Sequence, residues 1–287
     1  MLCRIDRVQM VVPDRAAAAA GWEAILGAEH HGDDRVACLS ARRSRYRLGD
    51  GWIELLEPDG VGPVADAMAA RGGHLFAAGA STRDLEGLVV RLRERGAEPA
   101  LENGQAHLDP SATGGHGLRL VLSPEEPLPP VGAIDGLYEV THLVRDAAAA
   151  VERCVELFGL DPGAFVPIES KHYGYAGTLT LFDPDRLHRF EVITPNDPAR
   201  TMGRFFARSG ETFYMAFAET GQLGDIEQRA GERRAACTPV RVDGELQTLF
   251  LHPPVLGGMM LGLSRRNHAW TWSGSPERAQ SPSTVPA

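Results

Sequence analysis

The sequence predicts an α+β fold built from two similar domains in tandem, and three observations carry that prediction. The chain repeats itself: IDRVQMVVPDRAAAAAGWEAILG (5–27) lies over LYEVTHLVRDAAAAVERCVELFG (137–159) without a gap. Each half then alternates short period-two runs with helical segments in the same order, which is strand, helix, strands, then strand, helix, strands again. Between the halves, PEEPLPPVG (124–132) has the prolines and charges of a linker.

Taken in order, each half opens on a period-two strand. Asp14 or Asp146 comes next as a residue suited to cap a helix, then an alanine-rich amphipathic helix, then Gly27 or Gly159 to stop it. WIELLEP (52–58) parallels RFEVITP (189–195), each a strand with a glutamate between apolar residues and a closing proline. Helical segments come after these at 84–96 (DLEGLVVRLRERG) and 222–231. HLDPSATGGHGLRLVL (107–122) and FLHPPVLGGMMLGLS (250–264) each read as strand, proline-glycine turn, strand. The boundaries expected are a domain at 1–127, a second at 134–266 and a disordered Pro/Ser-rich tail at 267–287.

Composition excludes several function classes. The 287 residues carry a net charge of −9, with 43% hydrophobic residues, and no basic stripe interleaves with aromatics, so nucleic acid is not an expected partner. No apolar run approaches the roughly 18 residues that span a bilayer. Arg4, Asp6 and Arg7 interrupt the place where a signal peptide needs an apolar core, so a cytoplasmic protein, monomer or homodimer, is expected. Cys3, Cys38, Cys154 and Cys237 are scattered without a C-x-x-C spacing and predict idle thiols.

The opening strand-Asp-helix-Gly units, the string RLRERGAEP (91–99), the glutamate strands IELLEP and FEVITP and the turns DPSATGG and HPPVLGG together resemble the vicinal oxygen chelate superfamily. That superfamily includes glyoxalase I, methylmalonyl-CoA epimerase, extradiol dioxygenases and bleomycin-resistance proteins. The resemblance implies four βαβββ modules forming two barrel-like half-open sheets, each around a cavity where a divalent metal (Mg, Mn, Fe, Ni or Zn) is chelated by substrate oxygens. It places the metal-ligand positions at Arg7, Glu54, His74 and Arg119 or Val121 in the first half, and at Glu139, Glu191, Tyr214 and Gly262 in the second.

These residues make a poor ligand set. Only Glu54 and His74 could serve a metal in the first half, fewer than the three protein ligands a catalytic site commonly supplies, and Arg7 adds a repelling charge. The facial triad of a ferrous dioxygenase has no counterpart, so extradiol cleavage is not expected. Arg7 instead offers a fork of donors to a substrate oxygen or to Glu54.

The second half is richer. Glu139 and Glu191, if close, raise each other's proton affinity and make one a general base; Tyr214 or His172 would hold the developing oxyanion. Tyr175, His252, His142 and Arg7 are the expected substrate contacts. The expected function is that of a glyoxalase- or epimerase-like lyase or isomerase, moving a proton next to a carbonyl in a small oxygenated metabolite. The alternative is a metal-free protein that binds and sequesters an antibiotic or aromatic compound.

Overall fold

The computed structural model describes residues 1–279. The first half runs β1 (Leu2–Val11), α1 (Arg15–Leu26), β2 (Glu29–Val36), β3 (Ala41–Leu48), β4 (Gly51–Pro58), α2 (Pro63–Arg71), β5 (His74–Thr82), α3 (Leu85–Glu94), β6 (Ala100–Glu102), β7 (Gln105–Leu108) and β8 (Leu120–Pro124). The second half repeats it as β9 (Gly136–Leu143), α4 (Ala147–Phe158), β10 (Val166–Ser170), β11 (Tyr175–Leu181), β12 (Arg189–Pro195), α5 (Thr201–Ser209), β13 (Thr212–Thr220), α6 (Leu223–Glu232), β14 (Cys237–Val242), β15 (Glu245–Leu251) and β16 (Met260–Arg265). Each half forms its own eight-stranded mixed sheet, ordered β2-β3-β4-β1-β5-β8-β7-β6 and β10-β11-β12-β9-β13-β16-β15-β14. The expected tandem of βαβββ modules is therefore the observed fold.

Local chemistry sets the helix ends as expected. Asp14 accepts from the Ala17 amide and Asp146 from the Ala149 amide, while Gly27 and Gly159 stop their helices at φ 72° and 67°. The second strand of each half is a sheet edge, mostly exposed in β2 and half-buried in β10. Alternation along the inner strands divides two faces. Val8, Ile53, Val140 and Phe190 point to a helix-bearing side, where they join Trp22 and Phe158 in one apolar core shared by both halves. Arg7, Gln9 and Glu54, and in the second half Glu139, Thr141 and Glu191, point to the opposite, inner side, where their side chains bond one another or neighbours on that face.

Register fixes which inner residues share a level. Parallel pairing of β1 with β4 sets Arg7 beside Trp52 and Gln9 beside Glu54; β9 with β12 sets Glu139 beside Arg189 and Thr141 beside Glu191. Gly79 lies opposite Arg7, and a Cβ there would sit 1.8 Å from Arg7 Cγ, so the glycine makes room for the arginine stem. In the second half the bulky and small partners are exchanged: Phe217 lies opposite Glu139, and a Cβ on its neighbour Gly262 would sit 2.3 Å from the Phe217 ring.

The expected disordered tail needs correction over 267–279; residues 280–287 lie outside the described residues. Residues His268–Trp272 and Pro276–Arg278 form short 3-10 turns. Trp270 is 5% exposed and packs with Tyr138, Leu179 and Leu181, with Trp272 and Phe217 beside them. The Arg278 guanidinium stacks on Trp270 at 4.0 Å. The polar composition of this segment conceals two tryptophans, whose burial outweighs the ordering of so short a stretch. Truncating Trp270→Ala is expected to lower the unfolding free energy by about 3 kcal/mol in a denaturant titration; a change within error would mean that the segment does not dock in solution.

Candidate functional site

The inner face of the first half is a closed ionic network. Arg7 donates from Nη1 to Glu54 Oε1 and from Nη2 to Asp6 Oδ2 and Ser123 Oγ, each at 2.8 Å. The other Glu54 oxygen accepts from Gln9 Nε2 at 2.7 Å and from Arg43 Nη1 at 3.3 Å. Arg43 also donates to Asp34 Oδ1 and Oδ2 at 2.8 and 2.6 Å and to Gln105 Oε1 at 2.7 Å. Burial alone would raise the Glu54 pKa, but Arg7 and Arg43 outweigh it and hold the carboxyl at about 2. Both Glu54 oxygens are committed to cations already in the fold. A cavity of about 190 Å³ remains alongside, bordered by Gln9, His107 and Arg119.

The inner face of the second half has a different balance. Arg189 is fully buried; it donates from Nε to Glu139 Oε2 at 2.7 Å and from Nη1 to the Leu187 carbonyl at 3.1 Å, and lies 5.1 Å from the Tyr138 ring centroid. Its Nη2 is buried with no hydrogen-bond partner among the described residues. Glu191, also buried, accepts from Thr141 Oγ1 at 2.5 Å and from the Tyr175 hydroxyl. One guanidinium thus faces two carboxyls. Burial first, then the negative charge of Glu139, pushes Glu191 up to about 8, and burial raises Glu139 despite Arg189. The pair shares one proton more readily than ordinary carboxylates do.

The other expected site residues lie apart from this cluster. His172 is exposed on the turn before β11 and stacks edge-on against Tyr173. His142 is buried on the opposite face, its Nε2 donating to the His116 carbonyl at 2.7 Å and its ring 5.2 Å from Phe213. His252 is half-buried, its Nε2 2.8 Å from Thr238 Oγ1. His74 pairs with Val11 at the far end of β5, whereas Gly79 is the residue level with Arg7. Tyr214 occupies a bulge of β13, its hydroxyl 3.8 Å from Met260 Sδ, and Phe217 is the residue level with Glu139. His74 and Tyr214, expected in separate halves, instead line one cleft between them.

Arg43, Gln9 and Arg189 are inner-face residues that strand position alone does not single out as functional. For Arg189 a signal is present: it stands two residues before Glu191 in RFEVITP, hence on the same strand face. Arg119 forms an ion pair with Asp109 at 2.7 Å and stacks 4.4 Å over Phe76.

These donors do not fit a chelated divalent metal. In each half a guanidinium already engages the fourth-strand or first-strand carboxylate, and among the described residues no three His, Cys, Asp or Glu side chains gather in a metal-binding group. The chemistry available is proton transfer and hydrogen bonding by the side chains themselves.

Known proteins share this architecture. No curated protein sequence matches the chain significantly. Among solved structures, a triple mutant of 4-hydroxymandelate synthase from Streptomyces coelicolor superposes with a TM-score of 0.71 at 16% identity, covering 97% of each chain. A xylose isomerase-like TIM barrel/4-hydroxyphenylpyruvate dioxygenase fusion protein gives a TM-score of 0.63 at 13% identity, over 92% of this chain and 49% of its own. These superpositions show a common fold. Residues 6–113 match the Glyoxalase/Bleomycin resistance protein/Dioxygenase superfamily. The match lies in the first half of the chain, and the second half repeats the same fold.

Proposed function

We propose that the second half is the working half, and that it moves a proton next to a carbonyl in a small oxygenated metabolite, as a lyase or isomerase would. The observation that carries this reading is the buried Glu139–Arg189–Glu191 cluster, in which two carboxyls face one guanidinium. A base that must take a proton from carbon works best when its pKa lies near the operating pH, and burial brings Glu191 there. The unpartnered Arg189 Nη2 supplies a donor for the enolate oxygen that forms as the proton leaves. Tyr175 is the partly exposed member of the cluster. In the first half the same face is a neutralised scaffold: Glu54, held at about 2, is too weak a base for this chemistry.

Two outcomes are expected. Incubated in D₂O with small 2-oxo acids, hydroxyketones and acyl thioesters, the protein incorporates deuterium next to the carbonyl of at least one of them, read by proton NMR. Glu191→Gln slows that exchange by at least about 100-fold. Exchange unchanged in the variant, or none with any of these compounds, contradicts the assignment.

Stability should depend on pH in opposite senses in the two halves. Glu54 is depressed, so its contribution is complete above the unfolded value of about 4.3 and is lost as pH falls through about 2. Glu191 is raised, so its contribution is complete below the unfolded value and is lost as pH rises through about 8. Glu191→Gln is therefore expected to melt higher than the unmodified protein at pH 9 and with it at pH 4, measured by circular dichroism.

A further inference from the structure

We propose that the cleft between the two halves, bounded by Arg71 of α2 and by Arg204 and Arg208 of α5, binds a small aromatic carboxylate that carries a hydroxyl group. The cleft has a volume of about 690 Å³, within the range of small-molecule sites. None of Glu139, Arg189 and Glu191 lines it, so its occupancy is tested independently of the proton-transfer reading.

Charge decides the sign of the ligand. In a chain of net charge −9, most arginines are paired with carboxylates, yet among the described residues no carboxylate lies within ion-pairing distance of Arg71, Arg204 or Arg208. Among the described residues, Arg71 donates only to the Thr212 hydroxyl at 2.6 Å, and Arg204 only to the Ala199 carbonyl. Arg204 and Arg208 stand four residues apart, on one face of a helix that contains no acidic residue, an arrangement of like charges that an anion relieves. Guanidinium forks match a carboxylate by paired N–H donors.

The rest of the wall selects an aromatic body. Phe205 and Tyr214 meet edge to face at 4.8 Å between centroids, and Met260 closes the apolar side next to them. A polar acceptor stands opposite. His74 Nδ1 is 2.7 Å from the Gly72 carbonyl, which can only accept, so the proton is on Nδ1 and Nε2 presents its lone pair. That Nε2 is buried and has no partner among the described residues. Burial and the neighbouring Arg71 lower the His74 pKa to about 4, which keeps the ring neutral and Nε2 an acceptor at physiological pH. A ligand hydroxyl would satisfy it.

The test uses the full chain and 3-hydroxy-2-naphthoate, whose intrinsic fluorescence reports binding. Saturable binding is expected, weakened about tenfold or more by Arg204→Gln/Arg208→Gln and likewise by Arg71→Gln. 2-Naphthol, which lacks the carboxylate, should bind at least about tenfold more weakly than the acid. Because Arg204 and Arg208 are exposed, their double variant is expected to retain the melting temperature of the unmodified protein. Glu191→Gln should leave the affinity unchanged, which separates this cleft from the second-half cluster. The proposal is overturned by equal affinity in the arginine variants, by equal binding of 2-naphthol, by loss of binding in Glu191→Gln, or by no saturable binding at millimolar naphthoate.

Discussion

A guanidinium buried against a carboxylate on adjacent parallel strands is the interaction on which the rest of this molecule depends. It occurs once in each half and with opposite polarity. In the first half the arginine is on the opening strand and the glutamate on the fourth, as Arg7 and Glu54; in the second the glutamate opens and the arginine is on the fourth, as Glu139 and Arg189. Isolated buried charges are costly, so each half needs its pair to fold with charged side chains inside the sheet. The two pairs have different consequences because their surroundings differ. Arg43 adds a second cation to the first half and drives Glu54 to full ionisation, whereas Glu191 adds a second carboxyl to the second half and leaves its charge unmatched.

The local packing reinforces this division. Gly79 yields space to the Arg7 stem, and Ser123, Asp6 and Gln9 use the remaining donors and acceptors of the pair, so that the first-half network is satisfied. In the second half Phe217 takes the place of that glycine and covers the Glu139 level with a ring that neither donates nor accepts. Arg189 consequently retains a donor and Glu191 an elevated proton affinity. A satisfied network gives rigidity, and the unsatisfied one beside a partly exposed tyrosine is where the proposed proton transfer is assigned. The two halves share a single apolar core, so a rigid first half also steadies the sheet that carries the second-half cluster.

Much of the fold was legible because repetition, capping and alternation are local. Asp14 and Gly27 announce a helix between them, and their counterparts at Asp146 and Gly159 repeat the announcement. The level of each inner residue was less legible, since it depends on register across strands distant in sequence. Counting along β5 leads to His74, yet the bulged pairing of β1 with β5 brings Gly79 level with Arg7; the bulge in β13 likewise moves Tyr214 out and Phe217 in. The pairing of Arg7 with Glu54 was readable from strand position, whereas Arg43 was hidden in an arginine-rich run that looks like a solvated face. The docking of Trp270 was masked by the polar residues around it.

The central claim is that the second-half carboxyls, being two against one cation, hold a proton near neutrality. Carboxyl-detected NMR of protein labelled with ¹³C-glutamate, tracked from pH 3 to 10, tests it most directly. The account predicts one buried glutamate resonance, lost in Glu191→Gln, that titrates at about 8. A spectrum in which every glutamate carboxyl titrates below about 5 would contradict it.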